Sequence, residues 1–401
     1  MSEMRWGRYP GPVWTLIAWA VLNGLNLLFA ITFPANGKHP DVVTVGTVVY
    51  AAFVTVLLLA MAAPVTALRL GMPDEGNYPQ ERTERRAYDL VADGFGPGAI
   101  SPFVIAVDPA GDSTAAERVA GAVAEDPGIA TASVVRSTPE LAVVTAEAST
   151  TPQDERTQST LQRLRSEALP SALDQSPATA HVGGYNATMT DMSTRVQDRL
   201  PLFLVAVVLL SFLLLVVLFR SVAVPAKAAV LNLLSVGAAY GVLVMVFQWG
   251  WAQDLIGLHA TVPIISFIPL FMFAILFGLS MDYEVFLLSR IREEYLRTGD
   301  SDHAVVHGIG VTARTISAGA AIMVAVFAGF IAGNDPVVKM LGLGLATAVL
   351  VDATVVRLVL VPAAMKLLGR LNWWLPAWLD RLLPQLEGHQ AYGVDRMPQA
   401  T

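Results

Sequence analysis

The sequence lacks cysteine and has little charge. With no cysteine in 401 residues, disulfides, cysteine nucleophiles and thiolate metal sites are excluded. Charged residues make up only 15% of the chain, against about 25% in typical soluble proteins, while 54% of the residues are hydrophobic. The net charge of −7 gives no basic surplus for binding a nucleic acid. In place of charge, the chain has a series of long apolar runs.

Seven of these runs are long enough to cross a bilayer, which takes about 20 apolar residues. They lie at 13–33, 42–68, 200–218, 222–247, 262–288, 311–331 and 340–360. The first run has no small-residue cleavage site after it, so a membrane helix is expected there rather than a signal peptide. We therefore predict an N-terminal tail with an extra helix (1–41), a second helix (42–68), a soluble domain (69–199), a five-helix bundle (200–366) and a C-terminal part (367–401).

The basic residues predict how the chain is oriented, because cytoplasmic loops carry an excess of Lys and Arg. Loops 248–261 and 332–338 contain no Lys or Arg. The alternate loops and the region after the last run are basic, with Arg220, Lys227, Arg290, Arg292, Arg297, Lys366, Arg370 and Arg381. The soluble domain is therefore expected to be extracytoplasmic. If the first two runs both cross the membrane, the N-terminus lies on the same side as the soluble domain, which places Arg5 and Arg8 outside. This contradicts the rule that basic residues lie in the cytoplasm, so the topology of the first run stays open between an appended helix and a re-entrant piece.

The soluble domain has the pattern βαββαβ. Strands are predicted at 102–108, 129–136, 141–148 and 178–182, with helices at 113–125 and 151–169. Thr151 and Pro152 are expected to be the N-cap and first residue of the second helix. This order is that of a split βαβ, ferredoxin-like unit. A further helix, 186–199, is expected to lead into the next span. The predicted fold class is an α-helical membrane protein with an extracytoplasmic α+β ferredoxin-like domain.

Two acids interrupt the apolar runs. Asp282 lies near the end of one run and Asp352 within another. An ionised group at bilayer depth costs about 2.5–3.5 kcal/mol, so such residues normally face a bundle interior and serve a function. Tyr283 and Arg357 accompany them, and a nearby hydroxyl or guanidinium lowers a carboxylate pKa that desolvation raises. We predict that these four residues form a proton relay.

The depths of the two acids are compatible with such a relay. Asp282 lies eight residues before Arg290, about 12 Å along a helix from the basic edge. Asp352 lies thirteen residues after Lys339, about 20 Å from the other end of its helix. Glu284 is closer to the cytoplasmic edge and is expected to be solvated. The two aspartates are therefore expected at similar depth on neighbouring helices.

Structural roles compete with the relay at each position. Asp282 is alternatively a carboxylate satisfied by a neighbouring hydroxyl, and Tyr283 an interior aromatic. Asp352 and Arg357 alternatively form a structural ion pair, although five residues of α-helix separate two side chains by about 140°. Arg357 is therefore expected to reach another helix. Two serines, Ser280 and Ser317, are expected either to support the relay or to pack between helices.

Small residues and tryptophans add two structural expectations. Gly237, Gly241, Gly342 and Gly344 are expected to allow close helix packing. Residues 372–383 are amphipathic and contain Trp373, Trp374 and Trp378, which predicts an interfacial helix on the cytoplasmic face or, alternatively, a partner-docking helix. Residues 387–401 are polar and are predicted to be disordered.

Two motifs resemble a known family. One is Gly278-Leu-Ser-Met-Asp-Tyr-Glu-Val-Phe-Leu-Leu-Ser-Arg-Ile-Arg-Glu-Glu, and the other is Val351-Asp-Ala-Thr-Val-Val-Arg-Leu. With the order of helix, external domain and five helices, they resemble the C-terminal half of an MmpL-type transporter of the resistance–nodulation–division superfamily. The resemblance covers about residues 42–386. It implies a proton-motive-force-driven exporter of lipids or other hydrophobic compounds in the cell membrane, with no cofactor and no metal.

The resemblance leaves the assembly open, because family members carry two such halves. The chain either forms a homo-oligomer, pairs with a second half-transporter, or is an inactive fragment. An accessory subunit of a secretion or export complex is a further alternative. An intramembrane aspartyl protease is the least favoured, because those enzymes show Tyr-Asp on one helix and Gly-x-Gly-Asp on the next. Here the contexts are Ser-Met-Asp-Tyr and Leu-Val-Asp-Ala, with another helix between them. No enzymatic activity is expected.

Overall fold

The computed structural model describes residues 40–383 except His259 and Asn334. The predicted run at 13–33 and the tail beyond residue 383 lie outside this part. The α-helices of six residues or more are α1 (Pro40–Ala62), α2 (Thr83–Phe95), α3 (Ala115–Ala124), α4 (Glu155–Arg163), α5 (Tyr185–Phe219), α6 (Ala223–Leu243), α7 (Ile268–Thr298), α8 (Ser301–Ile331), α9 (Pro336–Val351), α10 (Val361–Leu368) and α11 (Ala377–Leu382). The strands are β1 (Leu70–Gly71), β2 (Phe103–Asp108), β3 (Ile129–Ser137), β4 (Ala142–Ala148), β5 (Thr179–Gly183) and β6 (Ile264–Ile265).

Most of the described chain is helical, and six helical stretches are long and apolar enough to cross a membrane. These stretches are Val48–Ala67, Tyr185–Phe219, Ala223–Gln248, Ile268–Thr298, Ser301–Ile331 and Pro336–Leu368. Each overlaps one of the predicted runs between residues 42 and 360. The last stretch joins α9 to α10 through a π-helical segment, Asp352–Leu360.

One predicted span begins too early. The run at 262–288 was expected to be helical throughout, but α7 starts at Ile268. Before it, β6 pairs in parallel with β1, so that Leu70 is opposite Ile264 and Gly71 opposite Ile265. Sequence reading missed this pair because each strand has only two residues and the two lie far apart along the chain. This strand pair connects the start of the soluble segment to the segment just before α7.

The soluble segment contains one four-stranded sheet. Its strands lie in the order β3-β4-β2-β5, and all neighbours are antiparallel. Alternate residues of β2, including Phe103 and Ile105, are buried, as expected for a strand with one face on a core. Helices α3 and α4 contribute Val119 and Leu161 to this core. The sheet and these helices form a hydrophobic core of their own.

Two details of this segment differ from the prediction. The N-cap of α4 is Asp154, whose carboxylate accepts from the backbone N–H of Arg156, so the assignment of Thr151 and Pro152 was wrong. Aspartate is a preferred N-cap residue, and the helix begins three residues later than predicted. Helix α2 was not predicted. As expected, the helix after β5 continues into the membrane: α5 runs unbroken for 35 residues.

Small residues set the packing of the bundle, as predicted. A side chain at Gly241 would collide with the backbone oxygen of Met61, so α6 and α1 approach closely there. A side chain at Gly342 would similarly meet the backbone oxygen of Phe327, which fixes α9 against α8.

The tryptophan-rich segment is not one continuous helix. A 3₁₀ turn, Gly369–Trp373, and the short helix α11 are separated by Pro376, which lacks an N–H and precedes α11 as its N-cap. Trp373 stacks on Tyr295 with 5.3 Å between ring centroids, so it packs against α7. Trp374 and Trp378 are exposed, as an interfacial position would require.

Candidate functional site

The centre of the bundle holds an ion pair. Nε of Arg357 donates to Oδ2 of Asp352 over 2.9 Å, and the Arg357 side chain is only 2% exposed. We expected these residues to lie on different faces, and that expectation was wrong. The segment Asp352–Leu360 is π-helical. A π-helix closes i→i+5 hydrogen bonds, so residues five apart come to the same face.

Arg357 also reaches a second helix, as predicted. Its Nη2 donates to the backbone oxygen of Ser280 on α7 and, over 2.8 Å, to the Ser280 hydroxyl oxygen. That hydroxyl in turn donates to Oδ1 of Asn232 on α6 over 2.7 Å. Asp352, Arg357, Ser280 and Asn232 therefore form one hydrogen-bonded chain that links three membrane helices.

Tyr283 lies beside this hydrogen-bonded chain. The guanidinium carbon of Arg357 lies 5.3 Å from the centroid of the Tyr283 ring, within cation–π range. The Tyr283 hydroxyl lies 3.8 Å from Sδ of Met323 on α8. Tyr283 thus contacts the predicted relay through its ring, while its hydroxyl faces α8.

A second carboxylate lies in the same interior. Glu284 is only 4% exposed, so the expectation of a solvated side chain was wrong. It interacts electrostatically with Arg357 and with Lys227 on α6. Lys227 lies inside α6 with a buried Nζ and not in a loop, which corrects its use in the orientation argument. Two acids and two bases therefore share the interior of the bundle; we call Asp352, Arg357, Glu284 and Lys227 the buried charge cluster.

A small cavity adjoins the buried charge cluster. Its water-accessible volume is about 20 Å³, enough for a water molecule. Its polar lining consists of Asn232, Ser235, Ser280, Tyr283 and Asp352. Oδ1 of Asp352 is buried with no hydrogen-bond partner among the described residues. The arrangement can hold a proton on a carboxylate and pass it to a hydroxyl or a water molecule within one polar chamber.

The structure does not bring Asp282 into this chamber. Asp282 is exposed on the outward face of α7, so the expectation that it faces the interior of this bundle was wrong. The same face carries Phe271, 54% exposed, and Phe286, 39% exposed. Ser317 on α8 is partly buried and makes no hydrogen bond to the described residues. Of the two candidate supporting serines, only Ser280 joins the chain of polar groups.

Sequence reading missed four residues. Asn232 was not considered, Lys227 was assigned to a loop and Glu284 to solvent. The fourth, Arg314, is exposed on α8, thirteen residues or about 20 Å from the start of that helix. The available signal was the same for all four, namely a polar residue inside or beside an apolar run.

Six apolar stretches around buried charges define a multi-pass membrane protein. The profile of the MMPL family matches residues 98–387. The chain belongs to the MMPL family.

The chain is similar in sequence to several known proteins. The mycolic acid-containing lipids exporter MmpL11 of Mycolicibacterium smegmatis is 40% identical over 342 residues, which cover 83% of this chain and 36% of the relative. The heme uptake protein MmpL11 of Mycobacterium tuberculosis is 41% identical over 340 residues, covering 82% and 35%. Membrane protein YdfJ of Bacillus subtilis is 36% identical over 397 residues, covering 92% and 54%. The chain thus spans about a third of the mycobacterial relatives and about half of the Bacillus protein.

Proposed function

We propose that this chain is one half of a transporter that exports lipids or other hydrophobic compounds and is driven by protons. The observation that carries the proposal is the buried charge cluster with its cavity, inside helices long enough to span a membrane. Charges at this depth are costly and typically mark ion or proton pathways. The lipid substrate rests on the name of the Mycolicibacterium relative, which is an exporter of mycolic acid-containing lipids.

The coupling follows from the charge balance of the cluster. Asp352 and Glu284 together balance Arg357 and Lys227, which lie on different helices. When one carboxylate takes up a proton, one positive charge loses its counter-charge in a low-dielectric interior. Helices α6, α7 and α9 then favour a different arrangement. Each proton crossing the membrane supplies about 2.3 kcal/mol per 100 mV.

The soluble segment is proposed to guide the substrate outside the cytoplasm. Its strand order, β3-β4-β2-β5, fits a ferredoxin-like domain. Arg165 makes two hydrogen bonds to Asp191 on α5, of 2.5 and 2.8 Å, and Ser193 on the same helix lies 2.6 Å from Ser266 beside β6. Since α5 is continuous, movement of the bundle is transmitted to the soluble segment. Arg290, Arg292 and Arg297, which lie in the last turns of α7, support the extracytoplasmic orientation of the soluble segment.

The active unit is proposed to contain a second half. Asp282 and Arg314 are both exposed on membrane helices of this chain. Facing lipid, each would cost about 2.5–3.5 kcal/mol on insertion scales. Gly278 lies one turn before Asp282, and nothing lies within 4 Å of a side chain placed there. A second copy or a second half-transporter against this face would surround Asp282 and Arg314 with polar groups and use the space at Gly278.

The separation of the two aspartates also supports a transporter over an enzyme. An aspartyl protease needs two carboxylates that share one catalytic site. Here Asp352 lies inside the bundle and Asp282 on its outer face. We therefore propose that the chain is not an intramembrane aspartyl protease, the enzyme class considered for its two acids.

The proposal is tested by export in cells that carry the parental chain or Asp352→Asn, a change within the buried charge cluster, at equal membrane expression. This change removes the titratable proton and keeps the size of the side chain. We expect export of mycolic-acid-containing lipid to stop in the variant, and a protonophore to stop it in the parent. Tyr283→Phe, which deletes only a hydroxyl, is expected to give a partial loss.

Export at the parental rate in Asp352→Asn, with protonophore sensitivity retained, would exclude Asp352 as a coupling residue. No export by the parental chain alone, but export after addition of a second family member, would identify a half that needs a partner. No export in either case would favour an accessory or inactive chain. Uptake of haem in the same cells tests the cargo named for the Mycobacterium relative.

A further inference from the structure

Three metal-ligating side chains meet where α7 turns into α8. Glu294 lies one turn before the end of α7, and His303 and His307 lie in the first two turns of α8. Nε2 of His303 is 3.2 Å from Oε1 of Glu294. The rings of His303 and His307 are stacked with centroids 6.1 Å apart. One ligand atom from each of the three side chains lies within 4.8 Å of the others.

We propose that Glu294, His303 and His307 bind a divalent transition-metal ion. Two imidazoles and one carboxylate form a donor set that suits Zn²⁺, Co²⁺ or Ni²⁺ better than Mg²⁺ or Ca²⁺, which prefer oxygen ligands. With bonds of about 2.0–2.1 Å, tetrahedral ligand atoms lie about 3.3–3.5 Å apart. The 3.2 Å distance from Nε2 of His303 to Oε1 of Glu294 is already close to this spacing. The exposed His307 ring closes the remaining gap by rotating about its side-chain bonds.

Helices α7 and α8 position the ligands of this proposed metal site. His303 and His307 are four residues apart, so both project from one face of α8. The Glu294 carboxylate is only 8% exposed, which restricts its movement, whereas the His303 side chain is 55% exposed. The ion is therefore reached from solvent and keeps open coordination positions. This is the pattern of an accessible site rather than a closed structural one.

Arg297 competes for the same carboxylate. It donates to Oε1 and Oε2 of Glu294 over 2.5 and 3.0 Å. The Arg297 side chain is 68% exposed, so it can leave Oε1 and remain hydrogen-bonded through Oε2. The ion would then hold the end of α7 to the start of α8 across the turn at Gly299. Because α7 also carries Ser280 and Glu284, occupancy would restrict movement of the helix that contributes to the buried charge cluster.

The test uses the full chain in mild detergent, without a polyhistidine tag and after treatment with a chelator. Zn²⁺ binding is measured by calorimetry and by competition with a chromophoric chelator, and Co²⁺ binding by visible absorption. We expect saturable binding of a single ion per chain. His303→Ala and His307→Ala should each weaken binding by roughly 10- to 100-fold or more, since even the loss of a residue that only orients a ligand has an effect of that size.

Two further variants make the test specific. His181→Ala, on β5 of the soluble segment, removes a histidine far from the turn and should bind Zn²⁺ like the parent. Arg297→Gln removes the competitor and should strengthen binding, which a purely structural role of the histidines would not produce. Unsaturable binding by the parent, or equal affinity in His303→Ala, His307→Ala and His181→Ala, would overturn the proposal. Size-exclusion profiles establish that the variants are folded.

Discussion

Arg357 donates to the carboxylate of Asp352 from five residues further along the same helix. The contact exists because residues 352–360 form a π-helical segment inside an otherwise α-helical span. Such segments are rare and are often found at functional sites. Here the segment turns both charged side chains inward, toward Ser280 and Asn232 on two other helices. The local helix geometry thus creates the polar centre of the bundle.

Loss of Arg357 should destabilise the protein. In Arg357→Gln, Asp352 and Glu284 keep their charges but lose the buried guanidinium, and breaking a buried pair typically costs about 3–5 kcal/mol. Arg290→Gln is the matched control, because Arg290 is half exposed and pairs with Glu293 at the surface, where an ion pair is worth about 0–1 kcal/mol. Thermal unfolding in detergent should show a clearly lower midpoint only for Arg357→Gln.

A double variant separates charge imbalance from loss of packing. Asp352→Asn combined with Arg357→Gln removes both members of the pair, so it should be more stable than Arg357→Gln alone. Equal unfolding midpoints for Arg357→Gln and Arg290→Gln would contradict the description of the pair as buried and charged.

The orientation of the soluble segment can be read with single cysteines, since the chain has none. Ser113→Cys places a thiol on an exposed position before α3, and Asp302→Cys places one on the exposed first turn of α8. A membrane-impermeant thiol reagent should label the first in intact cells and the second only after lysis. The reverse pattern would show that the soluble segment is cytoplasmic.

The outward face of α7 should be an interface. Gly278→Leu fills space that is open in this chain, so it should leave the unfolding midpoint nearly unchanged and block association with a second half. Gly329→Leu on α8 is the control, because a side chain at Gly329 also meets nothing within 4 Å. Native mass measured in mild detergent should show loss of association for Gly278→Leu and the parental association for Gly329→Leu. A monomeric parent with full transport activity would remove the need for this interface.

The soluble segment should lose stability in acid. The Asp126 carboxylate accepts two hydrogen bonds from Arg163, of 2.7 and 2.9 Å, and these hold its pKa below the usual range. A lowered folded-state pKa stabilises the fold fully above the unfolded pKa, about 3.9, and this contribution is lost as pH falls through the folded pKa. Asp126→Asn should therefore unfold at a lower temperature than the parent at neutral pH, and the difference should shrink as the pH falls below the unfolded pKa and through the lowered folded-state pKa.

Glu117→Gln changes an exposed carboxylate on α3 and serves as the control for that comparison. It should follow the parent at every pH. A difference between Asp126→Asn and the parent that stays constant down to strong acid would show that the Arg163 pair does not depend on ionised Asp126.

Much of the architecture is predictable from the sequence because membrane helices need long apolar runs. The strands of the sheet are likewise predictable from alternating residues such as Phe103 and Ile105. The buried charge cluster is less predictable from the sequence. Asp352 is recognisable as an acid inside an apolar run, but the π-helical geometry that pairs it with Arg357 depends on tertiary packing. Glu284 was misplaced because the sequence does not show that α6 brings Lys227 toward it. Whether Asp282 is exposed depends on how α7 is rotated about its axis. The sequence gives little information on this rotation, because the residues that face lipid and the residues that face protein are both apolar.

The central claim is that the buried charge cluster couples protons to transport. The most direct measurement is proton flux into proteoliposomes holding the full chain and any required second half, with a pH-sensitive dye inside and mycolic-acid-containing lipid as cargo. Asp352→Asn and Glu284→Gln should abolish the cargo-dependent flux. Asp302→Asn and Glu293→Gln, the same changes at exposed positions, should retain it. Cargo-dependent proton flux at the parental rate in both Asp352→Asn and Glu284→Gln would contradict the account.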